Sequence, residues 1–115
     1  MTETDARAVD PAALARLAEE IGDVHEVVQL YLQALPVRCG LIANALASGD
    51  AAGLRDVAHT LRSASAFVGA TGLTALCDRL EAAGSQGPPL PLGLGTELAA
   101  EGRRVEAELV ALLAR

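Results

Sequence analysis

The sequence predicts an all-α fold, an up-down four-helix bundle with a short additional helix at the N-terminus. Three observations predict it. Of 115 residues, 51% are hydrophobic, yet there is one Phe, one Tyr and no Trp; alanine and leucine dominate, which favours helix over sheet. Apolar residues recur at the three- and four-residue spacing of amphipathic helices. No segment shows sustained apolar–polar alternation with β-branched residues, the mark of a half-buried strand.

The elements follow in order. Asp10 is a good N-cap, Pro11 suits a first helical position, and Val9 and Leu14 have the spacing of a hydrophobic staple. Leu14, Leu17 and Ile21 share a face, and Gly22 ends this first helix. Asp23 and Glu26 form a capping-box pattern for a second helix that runs to about Ser48, stops at Gly49 and is kinked or interrupted by Pro36. Asp50 caps a third helix over about 51–67, and Gly69 and Gly72 mark the next break. A fourth helix spans about 72–83, with Leu73, Leu76, Cys77 and Leu80 on one stripe and Gly84 as its end. Residues 85–93 are rich in Pro and Gly and read as the longest loop. The last helix runs from about Thr96 to Ala114, with Leu98, Val105, Leu109 and Leu112 inward.

The length fits one domain with a core of its own, over residues 10–115, behind a flexible stretch at 1–9. Formal net charge is −6, and the nine basic residues are all Arg. That leaves little material for a nucleic-acid face or a basic membrane-binding helix. No apolar run looks long enough to span a bilayer, and residues 1–10 lack a signal-peptide core. A cytoplasmic, monomeric protein is expected. Cys39 and Cys77 lie among apolar neighbours and read as small buried hydrophobes, not as a redox pair.

There are two histidines. His25 sits in a polar context at a helix start and reads as a solvated surface residue. His59 is different. At about 100° per residue, Leu54, Val57, Ala58, Leu61, Ser65 and Val68 fall within one inward arc, and His59 lies about 160° from its middle. It therefore projects outward in mid-helix. Its neighbours at helical spacing are Arg55, Asp56, Arg62 and Ser63, with Ala52 and Ala66 one turn further out. The patch is a histidine bracketed by two arginines over small residues, open to a bulky protein. A neutral imidazole is a nucleophile near neutral pH. Phosphoryl transfer needs mainly positioning and charge, which an arginine one turn away supplies. No zinc signature, nucleophile elbow or P-loop accompanies it; a P-loop needs a lysine, and the chain has none.

Residues 58–81 read AHTLRSASAFVGATGLTALCDRLE. This run resembles the signature of the histidine-containing phosphotransfer (HPt) family, AHxLKGSSxxxGAxxLxxxCxxLE. Ala58, His59, Leu61, Ser65, Gly69, Ala70, Leu73, Cys77, Leu80 and Glu81 match it. The preceding helix, with its internal proline and Gly-Asp turn, also resembles the family, so the likeness covers about residues 10–84. The resemblance implies that His59 is a phosphoacceptor taking phosphoryl groups from receiver domains of response regulators or hybrid histidine kinases. It implies a carrier without independent catalysis and without a cofactor of its own, the Mg²⁺ sitting on the receiver. Arg62 stands where the family has lysine and is expected to stabilise phosphate. Arg55, Asp56, Ser63 and Ala66 are expected at the docking face, and Ser65 in helix packing. Ser63 replaces a family glycine, which motivates an alternative: an HPt-like module that docks receivers without efficient transfer. A short chain beginning at Met1 is expected to be a stand-alone shuttle.

Overall fold

The computed structural model describes residues 7–114. Among them the chain forms five α-helices: α1 (Pro11–Ile21), α2 (His25–Ser48), α3 (Ala51–Phe67), α4 (Thr71–Gln86) and α5 (Gly93–Leu113). Helices α2 to α5 pack in a closed ring, α2 on α3, α3 on α4, α4 on α5 and α5 back on α2. That ring is the expected four-helix bundle, with α1 as the short extra helix.

Local signals set several ends. The Asp10 side chain accepts from the Ala12 N–H at 3.0 Å, and Asp50 accepts from Gly53 N–H at 2.9 Å, each satisfying a donor that the first helical turn leaves open. The expected capping box at α2 does not close. Asp23 accepts from the His25 N–H at 2.9 Å, but Val24 holds the N-cap position and no bond from Glu26 returns. Pro36 does not interrupt α2; it lies on the exposed side of a continuous helix.

Two boundaries move for tertiary reasons. Helix α4 passes through Gly84, the expected stop, to Gln86. Gly84 is buried where α4 crosses the first turn of α3, and a Cβ there would sit 2.7 Å from both the Ala51 carbonyl oxygen and the Arg55 nitrogen. The glycine serves a close backbone approach, not a helix end. Helix α5 begins at Gly93 instead of Thr96, because Leu94 is drawn into the core.

Part of the segment expected to be a flexible tail is built into the bundle. Ala8 and Val9 are buried, and both of their N–H groups donate to the Glu108 carboxylate on α5 at 2.7–2.9 Å. Residues 1–6 lie outside the described residues. Next along, the Asp10 N–H donates to the Gly69 carbonyl at 2.8 Å. Gly69 has φ +80° and backs onto Asp10 and Ala13, so this turn between α3 and α4 admits no side chain.

The core is aliphatic. Ile42, Leu54, Leu61, Leu73, Leu80, Leu98, Val105 and Leu109 are fully buried. Val57, expected in the arc, is half-buried at its edge. Cys77 is buried and Cys39 half-buried, and both are free thiols. Burial pushes the Cys39 thiol up and the Cys77 thiol up to about 12. One polar pair enters the core: the Tyr31 hydroxyl and Ser65 Oγ meet at 2.7 Å between α2 and α3. Helix α2 corrects one expectation, since an 18-residue stretch of it has mean hydropathy 1.3 and is long and apolar enough to cross a membrane by composition alone. Its apolar residues divide between the core (Val28, Tyr31, Leu35, Ile42) and an exposed side (Leu30, Val37, Leu41).

Candidate functional site

The α3–α4 pair places the site. On α3 the inward stripe Leu54, Ala58, Leu61 and Ser65 is fully buried, which turns His59 outward. Its side chain is 56% exposed. On α4 the buried stripe Leu73, Cys77, Leu80 and Gly84 leaves Glu81 on the flank that faces α3. The close crossing at Gly84 brings that flank within reach of the histidine.

Three side chains converge there. Glu81 Oε2 lies 2.9 Å from His59 Nδ1, and Glu81 Oε1 accepts from Arg62 Nε at 2.8 Å. Arg62 Nη2 lies 3.2 Å from His59 Nδ1. The two contacts at Nδ1 compete, because one ring nitrogen is either a donor to Glu81 or an acceptor from Arg62. The carboxylate prevails: its contact is shorter, and an Nδ1 lone pair facing an anionic oxygen would be repelled. Nδ1 therefore carries the proton, and the lone pair sits on Nε2. The Arg62 guanidinium bond, the largest cause, holds the Glu81 carboxyl below its usual range; burial opposes it, and the weaker His59 bond adds to the lowering. Glu81 is thus an anion at neutral pH.

The other expected site residues are arranged around this triad. Arg55 pairs with Asp56 at 3.2 Å, both exposed, and neither bonds to His59. Ser63 and Ala66 are exposed on the same helix. Arg62 is not free to meet phosphate as it stands, since its Nε is held by Glu81 with Asp78 beyond at 3.9 Å. His25 is exposed and paired with Asp23, as a surface residue. Glu81 is the site residue that sequence reasoning passed over: it appeared as a match in the motif and received no role. The signal was present, because it directly follows the core residue Leu80 and so flanks the buried stripe of α4. Among the described residues no three His, Cys, Asp or Glu side chains cluster to hold a metal ion.

This geometry sits on a fold shared with solved structures. The histidine-containing phosphotransfer protein B (HptB) from Pseudomonas aeruginosa PAO1 superposes with a TM-score of 0.87 at 25% identity, covering 94% of this chain and 96% of that one. The HPT domain of the Hpt sensor hybrid histidine kinase from Shewanella superposes with a TM-score of 0.80 at 23% identity, covering 96% and 97%. No curated protein sequence matches the chain. The Hpt domain family model matches residues 26–114, which takes in α2 to α5 and every residue of the site, and the chain therefore belongs to the Hpt domain family.

Proposed function

We propose that this protein is a phosphorelay intermediate in which His59 Nε2 takes a phosphoryl group from the aspartyl phosphate of one receiver domain and passes it to another. The observation that carries the reading is the outward imidazole whose Nδ1 is held by Glu81, leaving Nε2 exposed as the nucleophile. In the forward step the Nε2 lone pair forms a bond to phosphorus as the bond to the aspartyl oxygen breaks. The ring becomes cationic, and the Glu81 carboxylate opposite Nδ1–H stabilises that charge. In the return step the P–N bond breaks and the ring becomes neutral again. Arg62, one turn from His59, contributes positive charge near the transferring group once its guanidinium turns from Glu81. Mg²⁺ is assigned to the receiver, and the chain is a carrier and not an independent enzyme. The same reading makes it a cytoplasmic monomer.

The test is incubation of the chain with a panel of phosphorylated receiver domains. An acid-labile, base-stable phosphoryl adduct is expected, and His59→Gln abolishes it with helicity unchanged by circular dichroism. Full labelling of that variant would remove the site assignment.

A second reading, a docking module with poor transfer, is motivated by Ser63, an exposed hydroxyl one turn from His59 where the family signature has glycine. Ser63→Gly raises the transfer rate if this reading holds. Efficient wild-type transfer with no gain in the variant excludes it.

A further inference from the structure

The imidazole–carboxylate pair of the site occurs a second time in the molecule, where Asp23 and His25 stand at the start of α2. Asp23 Oδ1 lies 3.0 Å from His25 Nδ1 and also accepts the His25 backbone N–H at 2.9 Å. The corresponding contact at the site, Glu81 Oε2 to His59 Nδ1, is 2.9 Å, and both histidine side chains are 56% exposed. The backbone bond, and after it the ring bond, hold the Asp23 carboxyl below its usual range. Facing that anion, His25 Nδ1 carries the proton, and the lone pair sits on Nε2, which bonds to no described residue.

The two pairs differ in their surroundings. Arg62 lies 3.2 Å from the His59 ring, whereas the residues three and four on from His25 are Val28, in the core, and Gln29. With no guanidinium beside it, His25 attracts a phosphoryl donor more weakly. The pairs are also far apart. Helices α2 and α3 run antiparallel and meet where Tyr31 bonds Ser65. His25 lies six residues from Tyr31 towards one pole and His59 six residues from Ser65 towards the other, which separates them by about 18 Å along the bundle at about 1.5 Å per residue. A receiver seated with its aspartyl phosphate at His59 therefore does not present it to His25. A small donor arriving from solvent needs no such docking.

We infer that Asp23 and His25 form a second modification site, at which His25 Nε2 takes a phosphoryl group from small phosphoramidate-type donors while Asp23 holds the ring. In that step the Nε2 lone pair bonds to phosphorus, the donor's P–N bond breaks, and ammonia leaves with the electron pair of that bond. The Asp23 carboxylate stabilises the cationic ring that forms. The inference goes beyond the relay reading and does not depend on it. Its experiment treats the full chain with phosphoramidate and follows acid-labile phosphoryl groups per chain by intact mass. Wild type, His25→Gln, His59→Gln and Asp23→Asn are compared, with helicity checked in each. Wild type takes up two groups, the faster at His59, and each histidine variant retains one. Asp23→Asn slows labelling at His25 about tenfold, as for other carboxylates that orient a reactive imidazole, and leaves His59 unchanged. Equal labelling of His25 in wild type and folded Asp23→Asn identifies an ordinary exposed imidazole and overturns the inference. Saturation of wild type at one group, on His59, also overturns it. Should Asp23→Asn lose helicity, the urea-unfolded wild type decides: His25 labels faster in the folded chain, and equal rates overturn the inference. A chain labelled at His25 but inert at His59 towards every receiver overturns the relay reading and leaves this one standing.

Discussion

The two flanks of α3 are built differently. Towards α4 the backbones approach until Gly84 touches Ala51 and Arg55, and a polar bridge runs across the surface from His59 and Arg62 to Glu81. Towards α2 the contact is sparser, joined inside by the Tyr31–Ser65 pair and open outside along an apolar groove. The close flank holds the His59 imidazole by its Nδ1. The open flank leaves apolar side chains such as Leu30 and Phe67 exposed. The two sides of one helix are therefore open to separate perturbation.

The largest expected effect comes from prying apart the close flank. Gly84→Val places carbon where backbone atoms already stand at 2.7 Å, and overpacking of this kind costs about 1–3 kcal/mol or more. A fall in Tm of about 10 °C in thermal circular dichroism is expected. A variant as stable as wild type would show that the crossing is looser than described.

Glu81→Gln comes next and separates chemistry from stability. The carboxamide is the nearest neutral shape, but it neither compels a proton onto Nδ1 nor stabilises the cationic ring. Transfer from receivers falls about tenfold or more, as for other groups that orient a reactive histidine. Stability changes little, because the carboxamide still accepts from Arg62 and the bridge lies at the partly exposed rim of the bundle. Equal loss of both would make Glu81 a structural residue.

Tyr31→Phe probes the open flank from inside. It leaves the buried Ser65 hydroxyl without its partner, at about 1–2 kcal/mol in urea denaturation. It also alters the alkaline limb. Burial raises the Tyr31 hydroxyl from 10.0 to about 12. A raised folded-state value contributes stability that is fully present below pH 10 and is lost as pH rises towards 12. Cys77, raised from 9.0 to about 12, adds to the same decline. The variant retains the cysteine contribution alone, so its stability falls less steeply across that window.

The smallest effects lie at the surface of both flanks. Phe67→Ala changes stability by about 0.5 kcal/mol or less in urea denaturation, since the ring is half in solvent. In an NMR titration the Glu81 carboxyl ionises below its ordinary 4.5, and Arg62→Met moves it upward by removing the largest cause of its depression. The bridge from Glu81 is accordingly present above pH 4.5 and lost as pH falls through that depressed value.

What sequence conveyed well was local. Asp10, Pro11, Gly49 and Asp50 act on their own turns, and the ends they imply are the ends observed. The outward direction of His59 follows from the period of its helix and the apolar residues around it. What it conveyed poorly depends on a second element. Gly84 is read as a stop because glycine has that local meaning, whereas its role comes from a helix 30 residues away. Leu94 starts α5 early because the core recruits it. Glu81 gains its role only when α4 is laid beside α3, and the groove exists only once α2 is placed. Ala8 and Val9 are read as tail because nothing nearby reveals the glutamate on α5 that receives them.

That last contact fixes where the polypeptide enters and leaves. With Ala8 and Val9 fastened to Glu108, the incoming strand and the closing turn of α5 emerge as neighbours at one pole of the bundle. A module whose two exits adjoin can be spliced into a loop of a larger host without stretching either junction. Trimming it at Asp10, by contrast, strands an acidic side chain and opens the apolar hollow that Val9 lines.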